Sequence, residues 1–181
     1  LRAAHAAGVV HRDMKPDNVI VCGSLEEPLV KVLDFSVSKT EDLAFTQRGE
    51  VIGTPAYMPP EQAKGDPITP LADVYSVGAI LYDMLTGRPP YEADEPGKVL
   101  AALLTTDPPK PRELVPTIDP QVEAIVLKAI ARDPARRYPL IEALGEALEQ
   151  VGVRLQHRDD IPTAPPDEAL FDPPPRPQRE P

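Results

Sequence analysis

Residues 11–18, HRDMKPDN, place six charged or polar side chains within eight positions, between two short apolar runs. Such a cluster is typical of a loop at the mouth of strands, where catalytic groups are often mounted. Asn18 and, further along the chain, Asp34 offer the hard oxygen ligands that Mg²⁺ prefers. Asp13 is then free to accept a proton from an attacking hydroxyl, and Lys15 can offset the charge of a moving phosphoryl group. The pattern predicts phosphoryl transfer.

The elements around this loop are short strands followed by helices. The fold class predicted is mainly α with a small antiparallel β region. Residues 1–7 are typical of a helix end that Gly8 stops. Residues 36–58 show no sustained period, and connections of that length are usually functional or disordered. The predicted strands cover residues 9–10, 18–22 and 30–35.

Three longer helices follow. The first runs from Thr69 as N-cap through Pro70 to a stop at Gly87, and its apolar residues surround it nearly completely. A helix apolar on all sides is expected at the centre of a domain. The second begins with Asp119 and Pro120. The third is predicted over residues 138–151 and carries Leu140, Leu144, Ala147, Leu148 and Val151.

Composition narrows the class of protein. The 181 residues carry a net charge of −10, which disfavours nucleic acid as a partner because phosphate binding needs a basic surface. No run reaches the roughly 18 apolar residues of a membrane span, and no signal peptide is visible. A cytoplasmic location is expected, and a membrane anchor elsewhere in a longer chain is left open. The single Cys22 is predicted to be a buried core residue. Residues 153–181 form a proline-rich tail, expected to be disordered or a linker.

Four motifs in order resemble the bacterial type of eukaryotic-like (Hanks-type) serine/threonine protein kinases. HRDMKPDN resembles their H-R-D-x-x-x-x-N catalytic loop, and DFS at 34–36 stands where they have D-F-G. GTPAYMPPE at 53–61 resembles the segment that ends in A-P-E. The stretch from residue 73 resembles the family's central helix. The resemblance covers residues 1 to about 150 and implies a protein-kinase-like fold.

The resemblance implies a role for each site residue. Asp13 would be the catalytic base and Lys15 would contact the γ-phosphate of ATP, while Asn18 and Asp34 would bind Mg²⁺ or Mn²⁺. Four further residues match the nucleotide side and the supports of the loop. Ile20 would lie under adenine, Asp17 would face the ribose and peptide side, and His11 with Phe35 would be buried supports.

The same resemblance assigns residues of the activation segment and its anchors. Arg12 would pair with a phosphorylated threonine, for which Thr46 is preferred over Thr40, and an unmodified threonine is the alternative. Thr54 would bond the catalytic aspartate and select hydroxyl substrates. Asp73 would accept hydrogen bonds from the catalytic-loop backbone. Glu61 and Arg137 would form a buried ion pair.

The sequence departs from the family pattern in three places. Ser36 replaces the glycine of D-F-G, and Pro59 replaces the alanine of A-P-E. Nothing matches the glycine-rich loop or the lysine of the N-terminal lobe. We therefore expect residues 1–152 to be a C-terminal lobe whose partner in cis is an N-terminal lobe before Leu1. Alone, this polypeptide should bind ATP poorly and have little or no activity.

The expected function is transfer of the ATP γ-phosphate to serine or threonine hydroxyls of protein substrates. Two other classes remain open. A pseudokinase or partner-binding half-domain would fit Ser36, although the complete HRD…N and Asp34 count against it. A small-molecule phosphotransferase of the antibiotic- or choline-kinase type shares a similar loop, but such enzymes lack the GTPAYMPPE segment.

Overall fold

The computed structural model describes residues 1–24, 27–35 and 55–156, with side chains as far as residue 152. The described chain is mostly helical with one two-stranded antiparallel sheet, which confirms the predicted class. Short 3₁₀ turns lie at Pro16–Asn18, Pro55–Tyr57 and Pro134–Arg136. The helices are α1 (Arg2–Ala6), α2 (Pro60–Lys64), α3 (Pro70–Thr86), α4 (Pro96–Thr105), α5 (Pro111–Leu114), α6 (Pro120–Ala129) and α7 (Ile141–Gln156), and the strands are β1 (Val19–Gly23) and β2 (Pro28–Val32).

Helix starts follow the proline and cap signals of the sequence. Helices α2 to α6 all begin with proline, whose fixed φ and missing N–H suit the first helical position. Asp119 accepts a hydrogen bond from the Gln121 amide at 2.7 Å, and Thr69 accepts one from the Leu71 amide at 3.4 Å. Helix α3 ends at Gly87 in the left-handed conformation, φ 75°. The predicted bounds of α3 and the predicted start of α6 are confirmed.

The core surrounds α3, as predicted. Tyr75 and Tyr82 on α3 are almost completely buried, and α3 packs against α5, α6 and α7. Gly78 lets α3 approach α6 closely. A Cβ atom there would lie 2.7 Å from Ala129 Cβ and 2.9 Å from Ile130 Cγ2, both too short for a real contact. The glycine therefore sets the distance between the two helices.

The last helix differs from its prediction. It begins at Ile141 rather than residue 138, because Pro139 disfavours helical backbone at Tyr138. Tyr138 is still buried, beneath the Lys128 ammonium at 4.2 Å, but Leu140 is exposed. The prediction that Leu140 lies on this helix is wrong, since it precedes the first helical residue.

The strands also differ from their predictions. Residues 9–10 form no strand, since the Val9 amide bonds to Ala4 O and folds the chain back onto α1. Strand β2 covers residues 28–32 and not 30–35, because Asp34 leaves the extended conformation with φ 54°. Registers run from Val19 opposite Val32 to Gly23 opposite Pro28.

The β1–β2 hairpin packs few of its side chains into the core. Val21 and Val30 stand opposite each other and are 67% and 58% exposed. Cys22 is only partly buried, so its prediction as a core residue is wrong. A two-stranded sheet buries a side chain only where another element covers its face, and here no described element covers Val21 or Val30.

Several sequence predictions fall elsewhere. Ser36, Thr40, Thr46 and Thr54 lie outside the described residues, as does the chain after residue 156. The division at residue 152 stays a prediction. Of the described helices, none combines the length and the apolar content needed to cross a bilayer.

Candidate active site

The candidate catalytic loop connects α1 to β1. Met14 is buried to 4% exposure and anchors its middle. Asp13 and Lys15, on either side of Met14, keep 53% and 31% of their side-chain surface exposed. The loop therefore holds two charged groups at the surface by burying the apolar residue between them.

Asp13, Lys15 and Asn18 form one compact group. Lys15 Nζ lies 2.9 Å from Asp13 Oδ2, and Asn18 Nδ2 lies 3.3 Å from the same oxygen. Asn18 Nδ2 also donates to the Asp13 backbone oxygen at 2.7 Å, and the Asn18 amide donates to Lys15 O at 3.0 Å. Asn18 is 5% exposed, so a buried amide fixes the direction of an exposed carboxylate.

Asp73, at the start of α3, supports the catalytic loop through hydrogen bonds. Its carboxylate is almost completely buried and accepts the His11 amide at 2.9 Å and the Arg12 amide at 3.0 Å. His5 Nε2, from α1, lies 2.7 Å from the same carboxylate. Arg12 has φ 69°, a conformation that L-residues adopt rarely and that is kept only where the surroundings impose it. Asp73 supplies that constraint.

His11 joins the loop to the end of β2. Its ring is fully buried, with Nε2 2.7 Å from Leu33 O and Nδ1 accepting from the Asp13 amide at 3.3 Å. These two bonds assign the proton to Nε2 and leave Nδ1 as the acceptor. The Leu33 amide donates to Asn18 O at 2.9 Å. Both backbone groups of Leu33 therefore bind the loop. Asp34 is the next residue in the chain, so these two bonds hold it close to the loop.

The residues expected to support the loop or to face the nucleotide differ in their exposure. His11 is buried as predicted, but Phe35 is 38% exposed, and only one edge of its ring rests on His11, with centroids 4.8 Å apart. The prediction of a buried Phe35 is wrong because no described element covers its other face. Ile20 is 43% exposed on β1, and Asp17 is exposed in the 3₁₀ turn.

Asn18 and Asp34 fit a divalent cation. The Asn18 Nδ2 group faces Asp13, which leaves its Oδ1 as a possible oxygen ligand. Asp34 is exposed and forms no ion pair with any described residue. No group of three or more histidine, cysteine or acidic residues gathers in the described chain. One carboxylate with one amide oxygen suits Mg²⁺, which keeps several waters and binds substrate phosphates.

A buried ion pair attaches α2 to the helical core. Arg137 forms a bidentate pair with Glu61, with N–O distances of 2.6 and 2.7 Å, and both side chains are buried. The guanidinium also donates to Leu71 O and Ala131 O and lies over the Tyr75 ring at 4.9 Å. Burial raises the pKa of the Tyr75 phenol well above its usual value. The ion pair links α2 to the helical core.

The 3₁₀ turn at Pro55–Tyr57 is attached to α3. Tyr57 donates its hydroxyl to Asp83 Oδ2 at 2.6 Å, and Ser76 Oγ donates to Tyr57 O at 2.9 Å. Burial and the bond to Asp83 raise the pKa of the Tyr57 phenol. A cavity of about 300 Å³ lies beside this turn, lined in part by Pro55, Tyr91 and Val99.

Sequence reasoning did not identify His5, Tyr57 or Asp83 as parts of this site. His5 lies six residues before His11, but a lone histidine on a helix gives no local signal of its partner. Tyr57 and Asp83 are 26 residues apart. A carboxylate late in an otherwise apolar helix was the available hint that Asp83 needs a partner.

The chain matches the protein kinase domain model over residues 1–148. The chain belongs to the protein kinase domain family. It is 41% identical to serine/threonine-protein kinase pkn3 of Myxococcus xanthus over 170 residues, which is 90% of this chain and 31% of that protein. It is 41% identical to Pkn1 of the same organism over 152 residues, 82% of this chain and 22% of that kinase.

A third relative extends the comparison to another bacterial group. Serine/threonine-protein kinase PknB of Mycobacterium tuberculosis is 36% identical over 168 residues, which cover 91% of this chain and 26% of that protein. The chain therefore spans roughly a fifth to a third of the length of these kinases. The resemblance to bacterial serine/threonine protein kinases is confirmed.

Proposed function

We propose that this chain contributes the catalytic loop of a serine/threonine protein kinase that transfers the γ-phosphate of ATP to protein hydroxyls. One observation carries the proposal. A half-exposed carboxylate, Asp13, is aimed by a buried asparagine and has a lysine ammonium 2.9 Å away. A base and a cation held together at a surface suit proton removal beside a transferring phosphoryl group.

In the proposed reaction the hydroxyl oxygen of a serine or threonine forms a bond to the γ-phosphorus. The bond from that phosphorus to the bridging oxygen of ADP breaks, and the hydroxyl proton passes to Asp13 Oδ1, the carboxylate oxygen that accepts no hydrogen bond from Lys15 or Asn18. Lys15 lies close enough to Asp13 to reach the same phosphoryl oxygens and offset their charge. Asn18 holds the Asp13 backbone and carboxylate in place throughout.

We propose that Asn18 Oδ1 and Asp34 hold Mg²⁺ or Mn²⁺ together with the phosphates of ATP. The metal would neutralise charge that develops on the phosphate oxygens. Ile20 is proposed to lie under adenine and Asp17 toward the ribose and peptide. The exposure of Ile20 and Asp34 supports this assignment, because ligand contacts need accessible side chains.

The proposed base is tested by Asp13→Asn in a complete kinase that contains this chain. We expect kcat to fall by about 10²–10⁴-fold, the usual range for loss of a general base. Asp66→Asn, an exposed carboxylate after α2, is the matched control and should leave kcat unchanged. Phosphorylation of a protein substrate at the wild-type rate by Asp13→Asn would refute the assignment.

We also propose that residues 1–152 act as a C-terminal lobe and need a second lobe to bind ATP. Ile20, Leu33 and Phe35 are between 38% and 43% exposed, so the described residues leave this apolar surface uncovered. The 181-residue polypeptide alone is expected to bind ATP with Mg²⁺ too weakly for calorimetry at micromolar concentrations. Micromolar affinity in that titration would contradict the two-lobe requirement.

A further inference from the structure

A small cavity separates the catalytic loop from α2. It has a volume of about 30 Å³ and lies against residues 12–15 on one side. Tyr57, Met58, Gln62 and Ser76 line the rest of it. Gln62 follows Glu61 directly, so the cavity lies between the loop that carries Asp13 and the helix that carries the buried ion pair.

Gln62, one of the residues that line this cavity, has a buried polar atom without a partner among the described residues. Its Oε1 is inaccessible to solvent and has no hydrogen-bond partner among the described residues. Leaving a buried amide oxygen unpaired is costly, and such atoms in native proteins are usually satisfied by protein or ordered water. A water molecule needs a space of about 10–15 Å³ and two to four polar partners, and this cavity exceeds that volume.

The other walls can supply those partners. Ser76 Oγ gives its hydrogen to Tyr57 O at 2.9 Å, so its lone pairs remain for a donor inside the cavity. In the loop, the amides of Met14 and Lys15 make no hydrogen bond to any described residue. The residues that line the cavity thus include an acceptor on α2, an acceptor on α3 and, in the loop, amides unpaired among the described residues.

We propose that one internal water molecule fills this cavity, donates to Gln62 Oε1 and to Ser76 Oγ, and accepts from the backbone amide of Met14 or Lys15. Reversal of the Gln62 amide would bring Nε2 to the same point, and water satisfies that group as well because it both donates and accepts. The water would link α2 to the loop next to Asp13. Gln62 is then a positioning residue for the kinase reaction, an assignment that rests on the function proposed above.

A crystal structure of the protein with ordered solvent tests the water directly. We expect a water within about 3.2 Å of the Gln62 amide and of the backbone amide of Met14 or Lys15. A Gln62 amide bonded directly to a protein group, or a cavity without ordered water, would overturn the proposal. This readout does not depend on phosphate transfer, so it can fail or succeed separately from the Asp13→Asn test.

The positioning role is tested with Gln62→Met in a complete kinase. Methionine has a similar length and offers no comparable hydrogen bond, so the water should be absent from the crystal structure of the variant. We expect kcat to fall by roughly three- to tenfold, because small displacements of a catalytic group slow the reaction. The KM for ATP should stay within about twofold, since no ATP contact is proposed for Gln62.

Gln150→Met is the matched control, because Gln150 is exposed on α7, away from the loop. It should leave both kinetic constants unchanged. Wild-type kcat in Gln62→Met, or water retained at the same place in that variant, would refute the positioning role. If the variant does not fold, the wild-type crystal structure still decides whether the water exists.

Discussion

Asp73→Asn should destabilise the protein by removing an acceptor that three donors share. Asparagine has nearly the same shape, so it leaves the packing of the buried side chain unchanged. The carboxylate now accepts from the amides of His11 and Arg12 and from the His5 ring, at 2.7 to 3.0 Å. An amide offers one oxygen only, and its NH₂ group would face one of the two backbone N–H groups.

The size of the effect follows from these contacts. A hydrogen bond to a charged group contributes about 1.5–3 kcal/mol, and one such bond is lost outright while the others become weaker neutral bonds. We therefore expect the free energy of unfolding to fall by about 3 kcal/mol, a large part of the usual 5–15 kcal/mol for a domain. With a urea m-value of about 1–3 kcal/mol/M, the midpoint should drop by about 1–3 M.

Urea unfolding followed by far-ultraviolet circular dichroism measures this shift. Asp66→Asn removes an exposed carboxylate and should leave the midpoint within experimental error. A change below about 1 kcal/mol for Asp73→Asn, with an unchanged m-value, would show that the two amides find other partners. The account of Asp73 as the support of the loop would then be wrong.

Two other predictions concern the buried side chains. Glu61→Gln leaves the charge of the buried Arg137 guanidinium uncompensated and should lower the free energy of unfolding in urea by about 3–5 kcal/mol. Adding Arg137→Met should recover part of that loss. Equal losses in the single and double variants would contradict the pairing. Burial raises the pKa of all five tyrosines in the folded state. Above pH 10 the unfolded state therefore binds fewer protons than the folded state. The free energy of unfolding should then fall by about 1.4 kcal/mol per pH unit for each tyrosine that is still protonated in the folded state. Phenolate absorbance should therefore rise together with loss of circular dichroism, and a separate earlier rise near pH 10 would refute the burial argument.

Local signals in the sequence predict most of the helical part of this fold. Thr69 with Pro70 and Asp119 with Pro120 give helix starts that the structure confirms, because a cap and a proline act within a few residues. The apolar residues on nearly every side of α3 likewise predict its position at the centre of the core. Pro139 is a local signal too, because a proline disfavours helical backbone at the residue before it, and α7 begins only after Pro139.

The exposure of Phe35, Cys22 and Leu140 could not be predicted in the same way. Apolar type indicates burial only where a second element covers the side chain, and the sequence of the hairpin does not say what lies above it. For the candidate site, the loop residues and Asp34 are visible as a motif. Their supports, His5 and Tyr57 among them, become apparent only when distant segments meet, 68 and 26 residues apart in the two pairs.

The site also depends on two backbone conformations that its own residues disfavour. Arg12 and Asp34 are the non-glycine residues with positive φ in the described chain, at 69° and 54°, and such geometry costs about 1–3 kcal/mol each. Arg12 is held through its amide by Asp73, and Asp34 follows Leu33, whose amide and carbonyl both bind the loop. The strain therefore persists only while α3 and His11 are in place. The candidate base Asp13 and the candidate metal ligand Asp34 are thus both positioned by buried side chains, those of Asp73 and His11. Loss of these buried side chains should therefore disorder Asp13 and Asp34 together.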